Sequence, residues 1–134
     1  MRARSLSSWL IRVATWSEWS HCAIVTPNET VIESRALMGG VVEQPLADSL
    51  AHASEHRIVE VSTPDDAAGV AWARAQIGAP YDWTGVLGIA LRRRWADPDS
   101  WFCSELVEAA LAAAGRLRFR DVPRVTPQHS WMAL

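Results

Sequence analysis

Three residues carry the chemistry this sequence could perform: Cys103, His21 and Glu33. Cys103 follows Ser100-Trp101-Phe102, where a helix is expected to begin. The positive end of a helix favours an anion, so a thiol placed there ionises more readily than a free one. The thiolate is the nucleophile, and it works beside a base. His21, on the first strand of an expected hairpin, is the candidate base. Glu33 lies twelve residues further on, on the second strand. Cross-strand neighbours approach within about 5.5 Å, close enough for a carboxylate to orient an imidazole and stabilise its charged form.

The same residues also have plainer readings. A cysteine is often a small buried hydrophobe, and a strand histidine is often structural. Strand alternation puts His21 on one face with Ala23 and Val25, and Cys22 on the other with Ile24. If the His21 face meets the Cys103 helix, the imidazole can reach the thiol; Cys22 reads as core filler. A Cys22–Cys103 disulfide is one arrangement the two cysteines allow, but no export signal is evident to accompany it. Without a CxxC or HxxxH pairing there is no case for a metal, and the chemistry calls for no cofactor.

The elements that must hold these groups follow from periodicity and turn signals. Leu6, Trp9, Leu10, Val13 and Ala14 mark one face of a helix over about 5–16. His21–Val25 and Thr30–Ser34, around Pro27-Asn28, read as a hairpin. Val41–Gln44 suggests a third strand and Arg57–Val61 a fourth, with a short helix over 46–55 between them. Thr63 is the expected N-cap of a helix with Pro64 at its first position, running to Gly78. Gly78–Asp82 is a loop, and Asp82 can cap a helix over about 83–93 that closes on Arg92-Arg93-Arg94. A helix from about Cys103 to Ala114 stops at Gly115. The tail from Asp121 reads as extended, with one last helical turn. Helix, then strands, then helices gives an α+β domain, a small antiparallel sheet with helices packed on it.

At 134 residues the chain has room for one domain, 1–134. Its 49% hydrophobic and 21% charged residues exclude disordered and fibrous classes, and a net charge of −2 argues against a nucleic-acid partner. No apolar run reaches the roughly 20 residues of a membrane span. A cytoplasmic protein without its own export signal is therefore expected. Eight tryptophans against one tyrosine is the unusual count, and tryptophan faces suit sugars and acyl chains.

Several segments together resemble the circularly permuted papain-like enzymes of the YaeF/YiiX group, distant relatives of NlpC-type cell-wall peptidases and lecithin:retinol acyltransferase. Trp19–Val25 resembles that group's "S-H-x-G-I" strand, with Cys22 and Ala23 departing from it. Val31-Ile32-Glu33-Ser34 resembles its "V-I-E-A" strand, Gly78–Asp82 its "G-x-P-Y-D" segment, Phe102–Leu106 its "C-S-E-L" helix start, and Thr126-Pro127 its ending. The resemblance implies a Cys103-His21-Glu33 triad, with an oxyanion hole helped by the Cys103 N–H. It also implies Tyr81, Ser20 and Trp101 as substrate-binding or oxyanion residues. Permutation explains why the histidine precedes the cysteine; the constellation is defined by geometry, not order. The implied substrates are peptide-like amides such as cell-wall fragments, or lipid acyl groups on the acyltransferase branch. A binding module on the same scaffold, without catalysis, is the rival reading.

Overall fold

A computed structural model describes residues 1–3, 18–83, 99–120 and 125–134. The expected helix over 5–16, and that over 83–93 beyond its first residue, lie outside the described residues, as do Trp9, Trp16, Trp95 and the arginine triplet. The architecture is α+β. A three-stranded antiparallel sheet has the order β2 (Ile24–Val25), β3 (Thr30–Arg35), β4 (Gly40–Pro45). A short helix α1 (Leu46–Ala51) leaves β4, and a separate two-stranded pairing joins β1 (Arg2–Ala3) to β5 (Ala53–Glu55). Helices α2 (Asp66–Ala75), α3 (Cys103–Ala113) and α4 (Pro127–Met132) complete the order.

The hairpin forms in the expected place but is shorter on its first arm. Its ladder pairs Ile24 with Ile32 and Val25 with Val31, and residues 19–23 lie outside it. The expected fourth strand does not form. Residues 56–63 pair with no strand among the described residues, and Ile58 and Val59 stay exposed; β5, just before them, pairs instead with β1. The expected helix over 46–55 is divided, its last residues going to β5. The third helix start also differs from expectation: Asp65, not Thr63, is the N-cap, its carboxylate accepting from the Ala68 N–H at 2.9 Å. Pro64 thus precedes the helix, and Thr63 instead donates its hydroxyl to Asp66.

Directly opposed residues share a sheet face, so Ile24, Ile32, Ser34 and Val41 line one side. That side carries the core: Ile32 and Val41 pack with Ala73 of α2 and Leu106 and Ala110 of α3. The two helices touch at a glycine. A Cβ on Gly69 would stand 2.9 Å from the Ala110 carbonyl oxygen and 2.9 Å from the Ala114 Cβ, so only hydrogen fits there. Beyond α3 the tail is fastened by a buried cluster. Arg118 forks onto the Glu108 carboxylate at 2.5 and 3.1 Å, and Ser130 donates to the same carboxylate at 2.7 Å.

A second glycine positions the loop that reaches the site. A Cβ on Gly40 would collide with the Ala79 carbonyl oxygen at 2.0 Å. Its absence lets 78–81 lie against the start of β4, with Val41 N–H donating to Ala79 at 2.9 Å and Tyr81 N–H to Gly39 at 3.1 Å. The loop then pairs with the segment entering α3, Trp101 N–H donating to Pro80 and Asp82 N–H to Trp101.

Candidate active site

Cys103 is the first residue of α3, as expected. Its N–H is therefore one of the helix donors that lack an intrahelical partner. Phe102 immediately before it is fully buried, and the Phe102 N–H donates to the Glu105 carboxylate at 3.1 Å, which holds the helix start in place. The sulfur lies in a packed group with Tyr81 and Phe102, against which Cys22 and Ala36 rest.

His21 joins the two ends of the site. Its Nε2 bonds the Glu33 carboxylate, and Cys103 lies near enough to raise the ring's pKa. With Nε2 committed to Glu33, Nδ1 is the ring nitrogen left for the sulfur. The register explains how Glu33 comes within reach. Continuing the ladder past Ile24 sets Glu33 opposite Ala23, so His21 lies on the diagonal, a distance long side chains span. Glu33 is fully buried and is held further by Gln44 on its other oxygen, by Ser49 of α1, and by Arg35 at 3.8 Å.

One expectation is corrected here. The face that meets α3 is the Ile24 face, which is the Cys22 face, not that of Val25. Cys22 is therefore no mere filler: it packs against the buried group that holds Cys103, and each thiol moves the other's ionisation. His21 reaches the same sulfur because residues 19–23 have left the ladder and strict alternation no longer binds them.

Electrostatics favour the charged forms of the pair. Burial opposes ionisation of Cys103, but hydrogen bonds from Cys22 and His21 and the charge of His21 outweigh it, holding the thiol well below its usual range. Burial likewise opposes a charged His21, yet its bonds to Cys103 and Glu33 raise it to about 9. Glu33 sits at about 2 because the His21 and Gln44 bonds overcome its burial. These shifts favour a thiolate–imidazolium pair backed by a carboxylate. The Cys22 thiol moves the other way, pushed up by its bond to Cys103 and by burial. Burial and the nearby Cys103 charge also push the Tyr81 phenol up, so it remains a hydrogen-bond donor.

The remaining candidates fare differently. Tyr81 stands beside the sulfur. Ser20 does not: its hydroxyl donates to the Met1 carbonyl at 3.2 Å and serves the backbone. Trp101 points into the core, its ring edge-on to Trp72 at 5.2 Å and its indole N–H on Gln76 at 3.2 Å. Neither lines the cleft. Among the described residues a space of about 1110 Å³ lies beside the site, with His21, Cys22, Trp19, Ile24, Val25 and Trp131 in a mostly apolar wall and Cys103 and Tyr81 outside that lining. Trp19 packs on Trp131 at 5.3 Å, so two of the tryptophans shape this wall while Trp72 and Trp101 fill the core.

Gln44 and Ser49 were missed in the sequence. Gln44 stands on the strand opposite Val31, diagonal to Glu33, and a polar residue there was a usable signal. Among the described residues no group of three or more His, Cys, Asp or Glu could hold a metal ion, and no helix is long and apolar enough to cross a membrane. No family model matches the chain, and neither a curated protein nor a solved structure does.

Proposed function

We propose that this chain is a cysteine hydrolase of the permuted papain-like fold, acting on peptide-like amides through an acyl-enzyme. The observation that carries the reading is one imidazole held between a buried carboxylate and a helix-start sulfur. The Cys103 thiolate attacks the amide carbonyl carbon. The oxyanion receives the Cys103 N–H and the Tyr81 hydroxyl, both donors that favour developing negative charge. The His21 imidazolium gives its proton to the leaving amine, and the C–N bond breaks. Neutral His21 then takes a proton from water, which attacks the thioester and frees the acid. Glu33 keeps the ring in its tautomer and stabilises its charged form throughout.

The cleft favours a second reading of the substrate. Its mostly apolar wall, with Ile24, Val25 and Trp19, suits an acyl chain, which points to a thioesterase or lipid acyltransferase on the same triad. Incubation with cell-wall peptide fragments and, separately, with phospholipid vesicles tests both. Mass spectrometry of the Cys103 peptide is expected to reveal the acyl group of the true substrate. If the acid limb of Cys103 alkylation by iodoacetamide lies where that of an ordinary thiol does, and His21→Ala does not move it, the triad does not exist.

A further inference from the structure

Cys22 is the one reactive side chain at the site for which the hydrolase mechanism has no step. It sits on the extended segment 19–23, outside the sheet ladder, and half-buried in the wall of the cleft. Behind it lies Cys103, only 1% exposed, in the packed group with Tyr81 and Phe102. Cys22 packs directly against the buried group that holds Cys103, and both are free thiols. A thiolate beside a second thiol is the arrangement in which an oxidised sulfur is captured before it is oxidised further.

From this juxtaposition we infer that Cys22 is a resolving thiol, and that peroxide converts the pair into a Cys22–Cys103 disulfide that switches the site off reversibly. This rests on the hydrolase reading only in making Cys103 the nucleophile. In the first step the Cys103 thiolate attacks an oxygen of hydrogen peroxide. The S–O bond forms, the O–O bond breaks, and the departing hydroxide takes the His21 proton to become water. Sulfur is oxidised to the sulfenic acid and peroxide is reduced. In the second step the Cys22 sulfur attacks the Cys103 sulfur. The S–S bond forms, the S–O bond breaks, and hydroxide leaves with the Cys22 proton as a second water. The net change is two thiols and one peroxide to one disulfide and two waters.

Two features favour capture over further oxidation. A sulfinate on Cys103 would add the bulk of two oxygens within the packing of Tyr81 and Phe102, which is costly. A disulfide instead needs the sulfurs to close to about 2 Å, and the Cys22 backbone is not held by a strand ladder. The small size of peroxide suits a sulfur that lies behind the cleft wall.

The test treats the full chain with hydrogen peroxide, blocks remaining thiols, and maps the peptides without reductant. Wild type is expected to lose two hydrogen masses, to yield a crosslinked pair of peptides bearing Cys22 and Cys103, and to regain full iodoacetamide labelling of Cys103 after dithiothreitol. Cys22→Ser keeps a donor beside the sulfur but cannot crosslink. Under excess peroxide its Cys103 should gain two or three oxygen atoms and not recover with dithiothreitol. Oxygen addition to wild-type Cys103 with Cys22 left free overturns the inference, and the wild-type map decides this even if the variant misfolds. Rapid labelling of Cys103 without a crosslink removes the switch and keeps the hydrolase reading. A crosslink in a protein that no amide or ester substrate acylates keeps the switch and removes the hydrolase.

Discussion

Replacing Glu33 by Gln removes the charge behind His21 while keeping a hydrogen-bond acceptor of the same size. Glu33 is fully buried, and its carboxyl falls from the ordinary 4.5 to about 2. At about 1.4 kcal/mol per unit, that is roughly 3 kcal/mol of preference for the ionised carboxylate in its folded surroundings. His21 is the first partner responsible, so much of this energy is returned as stabilisation of the imidazolium. The Glu33→Gln ring should therefore titrate well below its present value of about 9, toward the free value of 6.5. The thiolate–imidazolium pair becomes scarcer as a result. The acid limb of Cys103 alkylation should move up by about 1–2 pH units, with the rate at any pH below both limbs falling about tenfold for each unit. Imidazole resonances in NMR report the first quantity, and iodoacetamide labelling followed by mass spectrometry reports the second. Stability gives an independent check. A carboxyl whose folded pKa is depressed adds stability above its unfolded pKa and loses it as pH falls. Wild type should lose roughly 3 kcal/mol more than Glu33→Gln as pH drops from 4.5 to about 2, read from urea midpoints. A His21 titration and a labelling profile identical in the two proteins would refute the role given to Glu33.

Glu105 should behave in the opposite sense. Burial pushes its carboxyl up to about 7, so the stability it permits is present below its unfolded pKa and is lost as pH rises through 7. Denaturation at pH 5.5 and 8.5 should therefore show a loss of up to about 2 kcal/mol in wild type and little in Glu105→Gln. Arg118→Met leaves the Glu108 carboxylate buried without its fork and should cost about 3–5 kcal/mol in chemical denaturation, loosening the tail. Gly69→Ala should destabilise by about 1–3 kcal/mol despite its better helix propensity, because its Cβ meets the Ala110 carbonyl; a gain in melting temperature would show that α2 and α3 can part cheaply.

What the sequence conveyed well was local. The helix beginning at Cys103, the turn at Pro27-Asn28 and the strands at Val31 and Val41 each rest on neighbours within a few residues. The α+β class followed from their order. What it conveyed poorly depended on pairing across the chain. Arg57–Val61 has the β-prone composition of a strand, yet a strand needs a partner, and the available edge went to β1 and β5. Face assignment failed at Cys22 for a related reason. Alternation puts Cys22 and His21 on opposite faces, but it cannot tell which face the helices cover, nor that the ladder stops at Ile24 and frees both to approach one sulfur. Gln44 and Ser49 became visible only once register and the α1 position were known.

The near-complete burial of Cys103 carries a kinetic consequence. A reagent meets this sulfur only during excursions in which the wall of Cys22 and Tyr81 parts, so the observed labelling rate is an opening equilibrium multiplied by an intrinsic reactivity. Raising the electrophile concentration should eventually outrun reclosing. The rate then levels off at a ceiling shared by compact electrophiles of quite different intrinsic reactivity. That ceiling is the opening rate itself. It measures how often the nucleophile becomes available to any substrate, and so bounds the turnover the site can sustain.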